Sequence, residues 1–314
     1  MTSKWSDANT AGNPCCFRIA LMVIRAGKDN PLIKPSIQVL RAELFEALDW
    51  LVHGFSTRIG AGNDFSLGGK TQSDGDQKSV AQNRQRFLEA IAATTQKTPW
   101  PLISLKQVHS DVVHFVDGAP KSQLIGDGLL TNTRGMVLTV QTADCLPVLI
   151  ADPANRAVGA FHAGWRGTLA RIVEKGVGEM RRRFNSNPAK LQAAIGPGIH
   201  ACCYEVGSEL GDKFEAQFSY GRALFHEVFA SDPVRERYPL LFMTARAPGH
   251  SELGPKLHLD LVEANRRQLL EAGLPAGNIW ASELCTACRT DLLFSYRAEG
   301  AGTGRLMAAI GIRE

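Results

Sequence analysis

The sequence predicts an α+β fold, a layered sandwich of helices and a mixed sheet in one domain. Helical and strand-like segments alternate irregularly along the chain, without the strict βαβ order of a doubly wound fold. Of the 314 residues, 44% are hydrophobic and 21% are charged, which is ordinary globular usage. No Gly-x-Gly-x-x-Gly or P-loop motif occurs at a strand–helix turn, which argues against a standard dinucleotide or nucleoside triphosphate site.

Apolar periodicity predicts three helices. The first covers 80–91, with Ser79 placed to cap it. The second carries an apolar stripe over 169–184 and ends in three consecutive arginines, which suit the negative end of the helix dipole. The third opens with a capping box at 260–263 and stops at Gly273.

Six short β-rich runs predict strands at 136–140, 147–151, 157–161, 191–195, 278–282 and 306–312. Residues 1–38 differ from the rest in composition. We expect them to be a disordered or loosely attached N-terminal extension, or the product of an upstream start codon. Residues 39–314 are expected to form a single catalytic domain.

Charge and cysteine usage narrow the class of protein. The 35 Lys and Arg residues against 31 Asp and Glu give a net charge of +4, which predicts neither nucleic-acid nor membrane binding. The seven cysteines do not resemble a secreted disulfide framework. The apolar run near the start is too short to span a membrane and lacks a cleavage site. We therefore expect a reduced, cytoplasmic protein, as a monomer or a homodimer.

Three segments concentrate reactive residue types where predicted strands end, at 106–111, 141–147 and 161–167. Such loops are where α/β proteins commonly place binding sites. They contain His109, Cys145 and His162, and one thiolate with two imidazoles suits Zn²⁺ with an open fourth position. Because the three lie far apart in sequence, two alternatives stay open. One is a buried cysteine beside two hydrogen-bonded histidines. The other is a nucleophilic Cys145 with His162 or His109 as base.

Ten ordered stretches resemble the laccase-domain, or polyphenol oxidase, family, also called the YfiH family of purine nucleoside phosphorylases. They are HGFSTR at 53–58, KQVH at 106–109, DGLLT at 127–131, TADCLP at 142–147, HAGWRG at 162–167, AIGPGI at 194–199, CCYEV at 202–206, LDL at 259–261, CTAC at 285–288 and FSYR at 294–297. They cover about 53–312, nearly the whole predicted domain.

The resemblance implies a layered α/β domain with a catalytic zinc held by His109, Cys145 and His162. It implies phosphorolysis of adenosine, inosine, guanosine and methylthioadenosine, with adenosine deamination, so the expected partners are purine nucleosides and phosphate. Older family labels give a copper-dependent polyphenol oxidase. A multi-copper site needs a His-rich arrangement, and eight scattered histidines without a His-x-His pair do not supply one.

Further residues receive expected roles in such a site. Arg58 and Arg166 are candidates for phosphate or ribose, because guanidinium binds phosphate through paired hydrogen bonds; the alternative is a structural salt bridge. Asp144 is expected to orient a zinc-ligating histidine or to hold a ribose hydroxyl, with a turn carboxylate as the alternative. Gln107 is a candidate to read the base edge, or is a solvated amide. Cys145, Asp144 and Arg58 are the catalytic candidates.

Aromatic side chains and proton donors are also needed in such a site. Trp165 and Phe55 are expected either to stack on the purine or to lie in the core. Asp144 and His114 are the candidates for a proton shuttle in deamination. His250 and Glu252 form a His-x-Glu, but without a Pro-Cys-x-x-Cys this does not indicate a cytidine-deaminase site.

Four of the cysteines and two loop segments also receive expected roles. Cys285 and Cys288 form a lone Cys-x-x-Cys and are interpreted as structural thiols near the site, while Cys202 and Cys203 are expected to line a wall or the core. The segment 231–246 is expected to be a solvated surface. The loop 59–69 is compressed relative to the family, which predicts a shifted substrate preference.

Overall fold

Two mixed sheets lie face to face in the computed structural model, which describes residues 37–60, 65–68, 74–96, 98–228 and 256–314. The five-stranded sheet has the order Val39–Leu40, Leu51–Ser56, Leu306–Ile312, Val137–Thr142, Leu102–Ile103. The six-stranded sheet has the order Ile279–Ala281, Gln192–Ile195, Leu146–Asp152, Ala157–Ala163, Gly128–Thr131, Val113–Phe115. Most pairs are antiparallel, and three pairs at or near the sheet edges are parallel.

Smaller elements surround these sheets. Within the described ranges, the other strands are Glu205–Val206, Phe225–Val228 and Lys256–Leu259 in a three-stranded sheet, Thr94–Thr95 with Thr98–Pro99, and Leu105–Lys106 with Leu124–Ile125. The α-helices there are Glu43–Glu46, Asp74–Ala90, Trp165–Leu169, Ile172–Phe184, Ser208–Gln217, Leu261–Glu271 and Tyr296–Glu299. Short 3-10 helices cover Pro188–Lys190, Gly221–Leu224, Ala276–Asn278 and Gly300–Gly302.

Alternation along the strands explains the layering. Leu138 of the five-stranded sheet is fully buried in the apolar cluster that contains Leu149 of the six-stranded sheet. The adjacent Val137 belongs to a different cluster, with Phe87 of the helix Asp74–Ala90. Since successive side chains of a strand point to opposite faces, one strand holds both the sheet–sheet and the helix–sheet interface.

The outer face of the six-stranded sheet is covered by helices. Val148 and Phe161 of this sheet pack with Val177 of helix Ile172–Phe184 and with Leu269 of helix Leu261–Glu271. A Cβ on Gly176 would lie 2.4 Å from the Phe161 ring, so this glycine allows the helix to approach the sheet closely. The result is a sandwich of helix, sheet, sheet and helices, which confirms the predicted α+β class.

All three predicted helices are present, but the residues at which they begin or end differ from the prediction. The first helix begins at Asp74, so Ser79 lies inside it and does not cap it. The apolar periodicity starts only at Val80, and the polar first turns of the helix therefore gave no signal. The second is interrupted, because Arg171 adopts φ 64° and separates Trp165–Leu169 from Ile172–Phe184. The third is capped as predicted, since the Asp260 carboxylate accepts from the Glu263 N–H at 2.8 Å.

All six predicted strands are present, most of them shifted by one or two residues. Leu306–Ile312 has the predicted bounds, and it lies at the centre of the five-stranded sheet between Leu51–Ser56 and Val137–Thr142. The sequence analysis did not predict the buried strand Leu51–Ser56, whose glycine and histidine obscure an apolar run.

The predicted N-terminal extension falls outside the described residues except for Ile37 and Gln38, and so does the segment 231–246. Within the ranges that the structure describes, no helix is both long and apolar enough to cross a bilayer.

Candidate active site

The three predicted ligand residues converge at one end of the six-stranded sheet. Cys145 lies in the turn before strand Leu146–Asp152, and His162 lies in the neighbouring strand Ala157–Ala163. His109 follows the strand Leu105–Lys106, and its Nε2 lies 3.8 Å from the Cys145 Sγ. One potential ligand atom from each residue lies within 4.8 Å of the others. The three side chains could therefore hold a metal ion.

A buried carboxylate, Asp127, organises this cluster. Its Oδ1 lies 2.8 Å from His162 Nδ1, so the Nε2 of that ring is the nitrogen left to coordinate. The same carboxylate accepts from the backbone N–H groups of Val108, His109 and Ser110, at 3.2, 3.1 and 2.6 Å. Asp127 thus orients the His162 ring directly, and it holds the loop that carries His109.

This role of Asp127 corrects the expectation that Asp144 orients a ligating histidine. The Asp144 carboxylate instead accepts from the hydroxyls of Thr286 and Ser295, both at 2.7 Å, and from the Arg297 N–H at 2.6 Å. Asp127 was visible in the sequence only as a carboxylate immediately before an apolar strand. Its partners were not visible, because their proximity depends on folding.

Two site residues have left-handed backbones, which is uncommon for residues other than glycine. His109 has φ 61° and Asp144 has φ 93°. In each case side-chain hydrogen bonds hold the loop: the Asp127 carboxylate accepts from the His109 N–H, and the Asp144 carboxylate accepts from the Arg297 N–H. Such strain is often found where a side chain must be aimed at a ligand.

Charge coupling dominates the electrostatics of the cluster. Burial opposes the thiolate of Cys145, but the positive charge of His162 and hydrogen bonds from both histidines lower the pKa of Cys145 to about 6. Burial likewise opposes the imidazolium, but the Cys145 thiolate and the Asp127 carboxylate raise the pKa of His162 to about 9. Without a metal, these shifts favour a thiolate on Cys145 beside an imidazolium on His162. The pKa of Asp127 itself is lowered to about 2, because its hydrogen bonds outweigh burial.

A cavity of about 640 Å³ opens beside His109, Cys145 and His162, within the usual size range of small-molecule sites. Its wall includes these three residues, three aromatic side chains and two arginines. The other lining residues that matter for chemistry are Gln107, Asp144, Trp165, Tyr204, Tyr296, Arg297 and Arg305. Burial, reinforced by the Cys145 thiolate, raises the pKa of Tyr204 to about 12, which leaves its hydroxyl protonated and able to donate.

Residues 52–313 match the family described as multi-copper polyphenol oxidoreductase laccase. The chain belongs to this family. A purine nucleoside phosphorylase of Deinococcus radiodurans is 34% identical over 281 residues, which cover 88% of this chain and 94% of that protein. The adenosine deaminase RL5 of an unknown prokaryotic organism is 35% identical over 218 residues, 67% of this chain and 74% of that protein. The crystal structure of the Bacillus licheniformis hypothetical protein YfiH is 30% identical, with a TM-score of 0.71, and covers 89% of this chain and 97% of that one.

The arginines of this laccase-family site differ from those expected. The Arg58 guanidinium binds the Thr290 carbonyl and pairs with Glu299 at 2.8 Å, and Arg58 is not among the described residues that line the cavity. Its contacts are those of the structural salt bridge. Arg166 is exposed and lies over the Trp165 ring at 4.4 Å, beside the cavity wall. Arg297 and Arg305, which the sequence analysis did not single out as cation candidates, line the wall instead.

Gln107 lines the cavity, but its amide is paired with the backbone of Gln141. Its Nε2 donates to the Gln141 carbonyl, and its Oε1 accepts from the Gln141 N–H, both at 2.8 Å. The side chain therefore ties the His109 segment to strand Val137–Thr142, and one N–H remains for a ligand.

Three other predictions have a clear outcome. Phe55 is buried and stacks on Trp280 at 6.1 Å between the ring centroids, so it belongs to the core rather than to the cavity. Trp165 lines the cavity. His114 binds the Ile125 carbonyl at 2.8 Å and is not among the described cavity residues, which argues against its role as a shuttle.

The remaining motifs divide between the described and the undescribed parts of the chain. His250 and Glu252 lie outside the described residues, as do positions 61–64 and 69 of the compressed loop. Cys202, Cys203, Cys285 and Cys288 converge in one cluster, a proximity that the separate roles expected for Cys202–Cys203 and for Cys285–Cys288 did not include.

Proposed function

We propose that this chain is a zinc-dependent purine nucleoside phosphorylase with adenosine deaminase activity. The observation that carries the proposal is a three-ligand cluster of His109, Cys145 and His162 at the base of a cavity whose wall also holds arginines and aromatic rings. Cations suit phosphate, and aromatic rings suit a purine. The names of relatives such as the Deinococcus radiodurans phosphorylase and the RL5 deaminase support the same reaction types.

The donor set fits zinc. A tetrahedral zinc with Zn–N and Zn–S bonds of ordinary length separates a nitrogen and a sulfur ligand by about 3.6 Å, and His109 Nε2 lies 3.8 Å from Cys145 Sγ. A Cβ on Gly164 would lie 2.9 Å from that sulfur and 3.0 Å from the His109 ring, so this glycine leaves the space that the ligands occupy. Three protein ligands leave one position open, as in catalytic zinc sites.

Redox copper chemistry is not supported by the same residues. Within the described part of the chain, two groups bring three or more potential ligands together, and only the group of His109, Cys145 and His162 contains histidine. A multi-copper oxidase needs several histidine-rich centres.

In the proposed phosphorolysis, an oxygen of hydrogen phosphate bonds to C1′ of the ribose and the C1′–N9 bond breaks, with its electron pair left on the purine. The proton that the phosphate loses ends on the purine, so the products are the neutral base and ribose 1-phosphate. Arg297 and Arg305 would bind the phosphate, and their orientation is set by backbone carbonyls: Glu205 for Arg297, Thr303 and Gly304 for Arg305. The ring of Trp165 would stack on the base, and the protonated Tyr204 hydroxyl would donate to the substrate. A zinc ion held by the three ligands would supply Lewis-acid polarisation and make water more nucleophilic, which deamination requires.

Two of the expected site residues are proposed to act by positioning. Asp144 holds the segment 286–297 through Thr286, Ser295 and Arg297, and so places the Arg297 side chain. Arg58 binds the Thr290 carbonyl within the same segment and pairs with Glu299, two residues after it. Arg166, beside Trp165, stays a proposed contact at the rim of the cavity.

The test is turnover of inosine and phosphate by the purified chain, with base and ribose 1-phosphate as the measured products. We expect Arg305→Ala to raise the phosphate KM about 10- to 100-fold, since a lost charge-assisted pair is worth roughly 1.5–3 kcal/mol. Arg181→Ala, on the exposed face of helix Ile172–Phe184, is the matched control and should behave as wild type. Release of free ribose without phosphate would contradict the proposal.

A second function is a Cys–His hydrolase or amidase acting on a peptide-like or cell-wall precursor substrate. It is favoured by the hydrogen bonds that link Asp127 to His162 and His162 to Cys145, and by the lowered pKa of Cys145. Alkylation separates the two. A thiolate that binds zinc should react slowly with iodoacetamide until a chelator removes the metal, and activity should return with zinc. Fast alkylation without chelator, with activity indifferent to chelation, would assign Cys145 as a nucleophile.

A further inference from the structure

Four cysteines from two separate turns meet beside the cavity. Cys202 and Cys203 lie in the turn after Ile199, and Cys285 and Cys288 lie in the turn before Arg289. The Cys288 Sγ is 3.5 Å from that of Cys202 and 3.4 Å from that of Cys203, and all four sulfurs lie within 4.8 Å of one another. This cluster is made entirely of thiols.

These separations fit one shared ion. Four sulfurs around a tetrahedral zinc, each at the usual Zn–S distance, lie about 3.8 Å apart. The two sulfur–sulfur distances to Cys288, 3.5 and 3.4 Å, are slightly below that value, and no pair of the four sulfurs is more than 4.8 Å apart. A cubane iron–sulfur cluster would place each thiolate on a different iron and would need wider spacing.

The backbone around Cys285 is arranged to support a thiolate. Its Sγ accepts from the His200 N–H at 3.5 Å, and it also accepts a backbone hydrogen bond from Cys288, three residues further on. Donors to a ligand sulfur stabilise its charge and orient it toward a metal. They come from both turns, so the two turns are already joined around this atom.

The two turns also lie next to residues of the cavity wall: the first lies between Ile199 and Tyr204, and the second contacts Asp144. The Thr286 N–H donates to the Gly198 carbonyl at 2.9 Å, and the Thr286 hydroxyl donates to Asp144. Tyr204, which lines the cavity, directly follows Cys203. Any ion held by the four thiols would therefore fix one side of the wall.

We propose that Cys202, Cys203, Cys285 and Cys288 form a second, structural metal site that holds one tetrahedral Zn²⁺. Four protein ligands close the coordination shell, which is typical of structural rather than catalytic zinc. The site joins the turn at 200–203 to the turn at 285–288, and it acts on the cavity by positioning Tyr204 and Thr286. It does not depend on the proposed reaction.

The test counts zinc in the full chain, purified under reducing conditions without a polyhistidine tag. We expect about two zinc ions per chain, one for each ligand set. His109→Ala should lose one ion and keep the other. Cys288→Ser should also lose one ion, and combining the two changes should leave none. Cys145→Ser is the matched control, since it removes a thiol from the other site and should leave the four-sulfur site loaded.

A second measurement serves where a cysteine variant fails to fold. Zinc X-ray absorption on the His109→Ala protein should show a shell of sulfur only, with Zn–S near 2.3 Å. A single zinc in the wild type that is lost in His109→Ala would overturn the proposal. So would a disulfide between any two of the four cysteines in the reduced protein, found by mass spectrometry. Failure of phosphorolysis alone would leave this site unaffected, because the metal count is independent of turnover.

Discussion

Asp127 shows how one buried side chain can set the geometry of a whole site. Its two carboxylate oxygens accept from His162, from the Ser110 hydroxyl and from three consecutive backbone N–H groups. Neutralising it therefore affects both histidines of the ligand cluster. The orienting partners of metal ligands commonly contribute a factor of about 10 to 100 to metal affinity.

We predict that Asp127→Asn weakens zinc binding about 10- to 100-fold at the site formed by His109, Cys145 and His162. The reason is that the amide offers one acceptor oxygen in place of two. Competition with a chromophoric chelator measures this affinity. Asp152→Asn is the matched control: Asp152 is equally buried and accepts from Ala154 and Asn155 in the turn after strand Leu146–Asp152. Equal losses of zinc affinity in both variants would mean that Asp127 stabilises the folded protein without specifically orienting the metal-binding histidines.

At the scale of single elements, the strand Leu51–Ser56 carries a buried histidine in a structural role. The His53 Nε2 accepts from the Ala42 N–H at 3.0 Å, and its ring packs edge-on against Phe45. Burial, together with the charge of Arg41, lowers the pKa of His53 to about 4 from an ordinary 6.5. The folded protein therefore favours the neutral ring.

This depressed pKa predicts a loss of stability in acid. The unfolded chain binds the proton near pH 6.5 and the folded chain only near pH 4, so stability falls as the pH drops between these values. The loss between pH 7 and pH 5 should be about 2 kcal/mol. His53→Gln, which keeps an acceptor for Ala42, should remove that part of the slope in urea unfolding. His226→Gln, at an exposed strand position, should keep the wild-type slope.

At the scale of the whole molecule, stability rests on the interface between the two sheets. Leu138 is fully buried there, in a cluster that draws on strands of both sheets. We predict that Leu138→Ala lowers the free energy of unfolding by about 2–5 kcal/mol, the sum of lost transfer energy and a cavity. Ile125→Ala, at a position that is 55% exposed, should change it by less than about 0.5 kcal/mol. Comparable losses would show that the sheets do not share one core.

Features that depend on local sequence were predictable, and features that depend on contacts between distant residues were not. Strand Leu306–Ile312 and the cap at Asp260 were predictable because periodicity and capping are local properties of the chain. The break at Arg171 was not, because a left-handed arginine leaves no pattern in an apolar stripe. Phe55 illustrates the limit for side chains: its residue type allowed a stacking role, and only its neighbours place it in the core.

By itself, the sequence determined the fold class, three of the helices and six of the strands, because alternation and helical period are local properties of the chain. It also supplied three residue types that suit a shared metal, but their wide spacing left other roles open, and only the family resemblance favoured this one. Only the tertiary structure decided that Asp127 orients His162, that Arg297 and Arg305 rather than Arg58 line the cavity, and that four cysteines meet. Those pairings join residues from distant segments, so they follow from strand register and loop packing, which no local pattern specifies.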